Sequence, residues 1–410
     1  MTKKIGYLIP EFPGQTHNFF WRERSALKDL GINTQLISTK RPPKGIVSAS
    51  WACDAEAITT YLCPLSATDT VNVLLVLLRA GPVAWYRCAR VVINAKDMSP
   101  WQKIRLSLMI PFAAKLLWLS KQQGWSHVHV HSCADAANIA LFASRLSGRT
   151  YSLTLHGHLL GYGLNQAQKW SYATFAISIT KTLHTELKKC IGLHLPEKLE
   201  IAPMGVNVDS FMRAVPYKPY NRNSELIIFS CGRLNSGKGY SHEIQAIRIL
   251  RDWGVELRLV IAGEDEQGGT GYRKKLENQI ATNNLEDVVT LLGAVSEEKI
   301  REHLEKAHLF VLASLDEALG VVLMEAMAMS VPVIATQVGG VSELVEHGIN
   351  GILTPPGDSL ALAEAIRELA NTPDLASRFS QSSRQKIVDS FSHRRSAQVI
   401  AQLLEQMSMK

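Results

Sequence analysis

Paired or clustered cysteine is missing from this sequence. Its six cysteines, at positions 53, 63, 88, 133, 190 and 231, are scattered and form no C-x-x-C pair. That favours reduced thiols in a cytoplasmic protein over a disulfide framework or a zinc site. No apolar run reaches the roughly 18–20 residues that a bilayer-spanning helix requires. The opening MTKKIGYLIPEF breaks at Pro10 and Glu11 and reads as a first β-strand, not as a signal peptide. No Asp-x-Asp pair stands at a strand end, so no metal site is expected. No G-x-G-x-x-G follows the first strand, and PEFPGQTH (10–17) would make a poor pyrophosphate turn, which argues against a NAD-dependent dehydrogenase. Low-complexity tracts, internal repeats and nucleic-acid recognition motifs are also lacking, so no nucleic acid is expected as a partner.

What is present points to a soluble enzyme of two domains. A chain of 410 residues exceeds one ordinary core, and 46% hydrophobic with 20% charged residues is a globular composition. The net charge of +7 is unevenly placed: residues 1–205 hold 23 Lys and Arg against 11 Asp and Glu. A basic N-terminal half suggests an anionic partner. Apolar strands alternate with amphipathic helices in both halves. IGYLIP (5–10), NTQLIST (33–39), HVHVHS (127–132), YSLTLHG (151–157) and ATFAIS (173–178) are strands of the first half. ELIIFSC (225–231), ELRLVIAG (256–263), VVTLLG (288–293), HLFVLAS (308–314), VPVIAT (331–336) and GILTP (351–355) are strands of the second. Such alternation predicts α/β domains with mostly parallel sheets. Residues 205–224, rich in Pro, Asn and Tyr and without periodicity, read as the linker. The predicted division is 1–205, 206–390 and a closing helical segment, 391–410.

The segment SLDEALGVVLMEAMAMSVPVIAT (314–336) is the most informative. It leaves a strand, crosses an acidic loop, enters a short helix and returns to a strand. Ligands of open α/β sheets lie outside the carboxyl ends of strands, where this segment puts Glu317 and Glu325. Gly320 can bring backbone N–H groups close to an anion, with Val321 beside it. A plainer alternative is acidic residues favoured at a helix N-terminus. In CGRLNSGKG (231–239), Arg233 can grip phosphate bidentately and Lys238 supplies a point charge; a Gly-rich turn with solvated charges is the alternative.

Together with VGGVSELVEHGINGILTPPGD (338–358), these segments resemble the signature of the retaining family-four glycosyltransferases. The wording VVLMEAMAM is similar to that of bacterial exopolysaccharide and lipopolysaccharide transferases. The resemblance implies a GT-B fold, two Rossmann-like doubly wound domains facing a central cleft, with the last helix crossing back to the first domain. It implies transfer of a hexose from a UDP- or GDP-sugar donor to a glycan or lipid-linked acceptor, with no cofactor and no metal. By the same resemblance Arg233 and Lys238 hold the diphosphate, Glu325 the ribose hydroxyls and Glu317 the sugar hydroxyls, with backbone N–H groups from Gly320 and Val321. His156, after a strand in TLHGHLLGYG, reaches the donor sugar, with His158 as rival and simple capping or packing as the alternative. Gly14, Gln15, Thr16 and His17, ahead of an aromatic helix bearing Glu23, border acceptor and diphosphate; a helix cap at Thr16 fits the same residues.

Two positions depart from the family pattern. Ala318 follows the first Glu where Gly is usual, and Ser330 replaces Gly before the strand, putting the local turn geometry in question. The alternating histidines of HVHVH (127–131) suggest a polar strand face more than a metal site. Residues 71–121 are apolar, aromatic and basic. They read either as buried helices or as an interfacial face in peripheral contact with an anionic membrane. Competing activities on the same fold are a sugar-nucleotide epimerase and an inactive sugar-nucleotide-binding module.

Overall fold

The structure, a computed structural model, describes residues 3–14, 17–43, 51–265 and 269–408. The chain divides into two compact units. One comprises the N-terminal segment, Trp51–Pro203 and the chain from Ser396 onward; the other comprises Met204–Arg395.

The first unit is built on β1 (Lys3–Glu11), β2 (Ile32–Lys40), β3 (Thr60–Cys63), β4 (His127–Val130), β5 (Thr150–Leu155), β6 (Ala176–Ser178) and β7 (Leu199–Ile201). Their order is β3-β2-β1-β4-β5-β6-β7, with every pairing parallel. The second unit holds β8 (Leu226–Cys231), β9 (Leu257–Ala262), β10 (Val289–Gly293), β11 (Leu309–Leu312), β12 (Val333–Thr336) and β13 (Ile352–Thr354). Its order is β10-β9-β8-β11-β12-β13, again wholly parallel. Helices cover both faces of such sheets, so their strands are apolar on both sides. Thus Ile5, Tyr7, Leu8 and Ile9 are all buried in β1, and Leu226, Ile228 and Phe229 in β8. In each sheet the order reverses beside the first strand, between β1 and β4 and between β8 and β11. Crevices at such reversals are where open α/β sheets bind ligands.

Local chemistry sets the helices of the first unit. Ser66 and Asp69 form a reciprocal capping box at the start of Ala67–Arg79, and Ser99 with Gln102 does the same for Pro100–Ser107. The helix Ile110–Gln123 ends on left-handed Gly124 and buries Ala113, Ala114, Leu116, Leu117 and Leu119. Its Lys115, 5% exposed, donates to Tyr61 O and to Asp69 Oδ2, both at 2.8 Å, tying β3 and the capped helix to this one. The C-terminal helix His393–Ser408 places Ala397, Ile400, Leu403 and Leu404 in one apolar cluster with Ile5, Tyr7 and Leu27 of the first unit.

The histidine strand departs from the expectation of a polar face. His127, His129 and His131 are all buried, and β5 supplies hydroxyl partners to the first two. His127 bonds Thr150 Oγ1 and Ser152 Oγ, each at 2.8 Å; His129 bonds Ser152 Oγ at 2.7 Å and Thr154 Oγ1 at 2.9 Å.

Candidate active site

In the second unit, the two strands at the reversal point each end in a loop, and backbone contacts lock the loops together. After β8, Gly232 N–H donates to Ala262 O at 3.0 Å and the chain turns through Ser236–Lys238. Gly239 has φ +69°, and a Cβ there would collide with the carbonyl oxygen of Ala313, just past β11. Leu315 N–H donates to Gly237 O at 2.7 Å. Only glycine permits this approach.

The approach brings together two predicted residues 79 positions apart: Lys238 Nζ donates directly to Glu317 Oε2. Their side chains are 17% and 13% exposed. Ser314 Oγ also donates to Glu317 Oε2, at 3.3 Å. The Glu317 carbonyl accepts from Gly340 N–H at 3.2 Å, and left-handed Gly339 packs where any Cβ would strike that same oxygen. Glu317 is therefore fixed at both side chain and backbone.

The helix Val321–Ala328 starts from Gly320, φ +90°, and carries Glu325 on its second turn, 4% exposed. Burial pushes the Cys231 thiol up to about 12, with the Glu325 carboxylate adding to the rise and the Lys238 ammonium opposing it. Glu325 and Lys238 thus both act on the end of β8. Arg233 is exposed on the loop that follows. Behind Gly232 lies buried Tyr240, whose hydroxyl has no hydrogen-bond partner among the described residues. Ser314, Gly339 and Tyr240 were not identified from sequence. The glycine pair after β12 was a visible signal for Gly339; nothing local marks Ser314 or Tyr240.

In the first unit, Gly14 follows β1, and a Cβ there would collide with the His17 ring. His17 N–H donates to Gly14 O at 3.2 Å, and its ring stacks on Phe12. Gln15 and Thr16 lie outside the described residues. His156 stands just past β5, half-buried against Phe19 and Phe20, with Nε2 3.1 Å from His131 Nδ1. The rival His158 is exposed and bonds Glu186 Oε2 at 2.8 Å.

A carboxylate does accompany the histidines. Ligand atoms of Glu23, His129 and His131 lie within 4.8 Å of one another. Both ring nitrogens of His129 already face the Ser152 and Thr154 hydroxyls, so a cation here would have to displace them.

Residues 217–386 match the family described as glycosyl transferases group 1. The matched residues lie within the second unit and cover most of it. Among curated relatives, the amylovoran biosynthesis glycosyltransferase AmsK of Erwinia amylovora is 32% identical over 230 residues, 54% of this chain and 54% of that protein. The alpha-D-kanosaminyltransferase of Streptomyces kanamyceticus is 34% identical over 169 residues, 41% of this chain and 42% of that protein. The chain thus spans about half the length of these relatives. Among solved structures, Anabaena Alr3699/HepE in complex with UDP superposes with a TM-score of 0.73 at 18% identity, covering 98% of this chain and 100% of that one. The group 1 segment and the first unit together have the GT-B fold. Lys238, Glu317 and Glu325 all fall inside the matched residues.

Proposed function

We propose that the protein is a retaining glycosyltransferase of cell-surface polysaccharide biosynthesis. It moves a hexose from a UDP- or GDP-sugar to a glycan or lipid-linked acceptor. The Lys238–Glu317 pair at the strand reversal of the second unit carries this reading. A donor diphosphate takes over the ammonium, and the released carboxylate oxygen accepts a sugar hydroxyl. Arg233 adds a second cation, and buried Glu325 takes the ribose hydroxyls. The acceptor oxygen bonds the anomeric carbon on the face the diphosphate leaves, and its proton passes to the departing phosphate oxygen. These two cations neutralise the leaving group, so no metal is required. Fixed charge of this kind is worth about 3–4 kcal/mol per donor. The relatives support the setting: AmsK is named for amylovoran biosynthesis, and the Anabaena protein has been solved with UDP-glucose.

The test is turnover with UDP- and GDP-sugars, combined with thermal shift. A donor at 100 times its Kd adds about 2.7 kcal/mol of stability. Lys238→Ala and Arg233→Ala are each expected to lower turnover about 100-fold or more without loss of fold. Near-normal turnover in both refutes the site. Isomerisation of the donor without acceptor identifies an epimerase, and stabilisation without any turnover identifies a binding module.

The lipid-linked form of the acceptor is favoured by the helices Ala67–Arg79, Gly81–Asn94 and Pro100–Ser107. No single described helix is long and apolar enough to cross a membrane. Yet Leu78 is 80% exposed, Trp101 79% and Ile93 69%, and Leu74, Val83, Tyr86, Ile104 and Leu108 are exposed with them. Arg79, Arg87 and Arg90 are exposed among these residues. Apolar side chains rimmed by cations suit the headgroup layer of an anionic leaflet. Co-sedimentation with vesicles containing anionic lipid, lost in Leu78→Glu/Trp101→Glu, is the expected result. Equal recovery without vesicles refutes it.

A further inference from the structure

We infer that a cavity at the far end of the second unit's sheet is a binding site for an organic phosphate, separate from the Lys238–Glu317 site. The cavity has a volume of about 450 Å³. Pockets that hold small organic ligands begin at about 300 Å³. Every residue that lines it belongs to Met204–Arg395. Its Ser330 lies just before β12, whereas Ser314 and Glu317 follow β11. In a parallel pair these are opposite ends of the sheet.

Two walls enclose the cavity. One is the segment 212–217, which Arg213 pins. Arg213 donates through Nε to Val215 O at 3.2 Å, through Nη1 to Leu304 O at 3.1 Å and through Nη2 to Glu305 O. Tyr217 Oη donates to His308 O at 2.9 Å. The other wall is the helix Pro373–Ser390, whose Ser377, Ser380 and Arg384 recur at helical spacing and share a face. Arg384 Nη1 donates to Phe211 O at 3.0 Å and to Ala328 O. This ties the walls together and leaves Arg384 Nε and Nη2 without a described partner.

The lining has the chemistry of an anion site. No Asp or Glu is among the described residues that form it. Glu305 is the opposing charge at Arg213, and its Oε1 already accepts from the N–H groups of Ala214 and Val215, at 2.9 and 3.3 Å. Ser380 is 4% exposed, yet its hydroxyl bonds no described residue. A buried hydroxyl left that way is unfavourable unless something in the cavity takes it. Ser330 holds φ +57°, which disfavours any side chain, and its hydroxyl also bonds no described residue. Glycine would relieve that strain and lose the hydroxyl; strain of this kind gathers at ligand sites. Hydroxyls and a free guanidinium edge donate to phosphate oxygens. A bare ion would fill little of the volume, and Met212, Val215 and Tyr217 offer apolar surface to a carbon body.

The experiment is a titration of the full chain, labelled with 13C at its methionine methyls, with phenyl phosphate. Met212 is assigned among the ten methionines by its loss in Met212→Leu. Its signal should shift and saturate. Arg384→Gln should weaken the affinity about 10-fold or more. Ser330→Gly/Ser380→Ala should do the same, and serves where Arg384→Gln does not fold. Phenol, which lacks the charge, and inorganic phosphate, which lacks the ring, should each bind at least about 10-fold more weakly. Lys238→Ala should bind as the wild type does. No saturable shift overturns the inference, as does undiminished affinity in Ser330→Gly/Ser380→Ala. An equal response to phenol overturns the anionic class, and an equal response to inorganic phosphate overturns the organic one. Loss of the shift in Lys238→Ala returns the ligand to the Lys238–Glu317 site and overturns the separate one. None of these readouts is turnover, so the cavity stands or falls apart from the glycosyltransferase reading.

Discussion

Acidification from pH 7.5 to 5.5 is expected to weaken the histidine strand of the first unit and to strengthen the Glu243 contact of the second. In the first unit burial pushes His127 and His131 down to about 3, and His129 well below the ordinary imidazole value. Lys3 faces His127, and Glu23, His17 and His156 surround the other two. In the unfolded chain all three titrate near 6.5. Their folded values are depressed, so between these limits the unfolded state binds more protons. The stability they contribute is present above pH 6.5 and is lost as pH falls toward 3. One pH unit below the unfolded value, each histidine has cost about 1.4 kcal/mol, and three cost about 4 kcal/mol. That is a large share of a typical domain stability of about 5–15 kcal/mol.

The second unit has the reverse device. Glu243, fully buried under β8, is pushed up to about 8 by burial, against a bond from Ser230 Oγ at 2.6 Å. Its folded value lies above its unfolded value near 4.5, so its contribution is complete below pH 4.5 and lost as pH rises through 8. Lowering the pH from 7.5 to 5.5 should therefore raise the contribution of Glu243 by about 2–3 kcal/mol, opposed by His303 and His308, which burial holds below the ordinary imidazole value. Seven of the eight tryptophans belong to the first unit, all but Trp253, so urea unfolding followed by tryptophan emission reports that unit. Hydrogen exchange of peptides from β8 and β9 reports the other. The expected result is a lower fluorescence midpoint at pH 5.5 with higher protection of β8 and β9, each rate being taken relative to the intrinsic exchange rate at its own pH. Glu243→Gln should abolish only the second change. A fluorescence midpoint that is unchanged or higher at pH 5.5 refutes the assignment of three buried neutral histidines.

Two glycine-related predictions are read by urea denaturation. Gly239→Ala forces a side chain into φ +69° and against the Ala313 carbonyl, and should cost about 2 kcal/mol or more. Gly237→Ala meets only Asn235 Oδ1, at 3.4 Å, and should be nearly neutral; the reverse ranking refutes the loop geometry. Ser330 adopts φ +57°, so Ser330→Gly should raise stability by up to about 1 kcal/mol, and a loss of that size counts against the observed turn.

Ser330 also marks what was legible in the sequence. Serine in place of a usual glycine drew attention to the turn, and the backbone there keeps the left-handed conformation that glycine would favour. Most strands were legible because parallel, doubly covered strands are continuous apolar runs, as in LIIFSC of β8 and VIAT of β12. The edge strand β3 (TYLC) and edge strand β7 (LEI) were not seen. They are four and three residues long, and their neighbours β2 and β6 define them more than their own residues do. Residues 71–121 could not be divided by composition alone; only packing separates buried Ile110–Gln123 from Ala67–Arg79, which buries Val73 and Val76 alone among its residues.

The candidate site divides along the same line. Lys238 and Glu317 were each legible from residue type and position after a strand. Their pairing required the order β8-β11, which brings together loops 79 residues apart. The histidine strand shows the converse. Alternation placed His127, His129 and His131 on one face, but whether that face meets solvent or protein depends on Ser152 and Thr154 of the adjacent strand. A serine and a threonine some 25 positions away turn a polar face into a buried one. The buried face in turn makes the first unit acid-sensitive. Local pattern therefore identifies candidate groups, whereas protonation and partnership are set by strand order, which a single sequence reveals only where a glycine or a charge marks the loop.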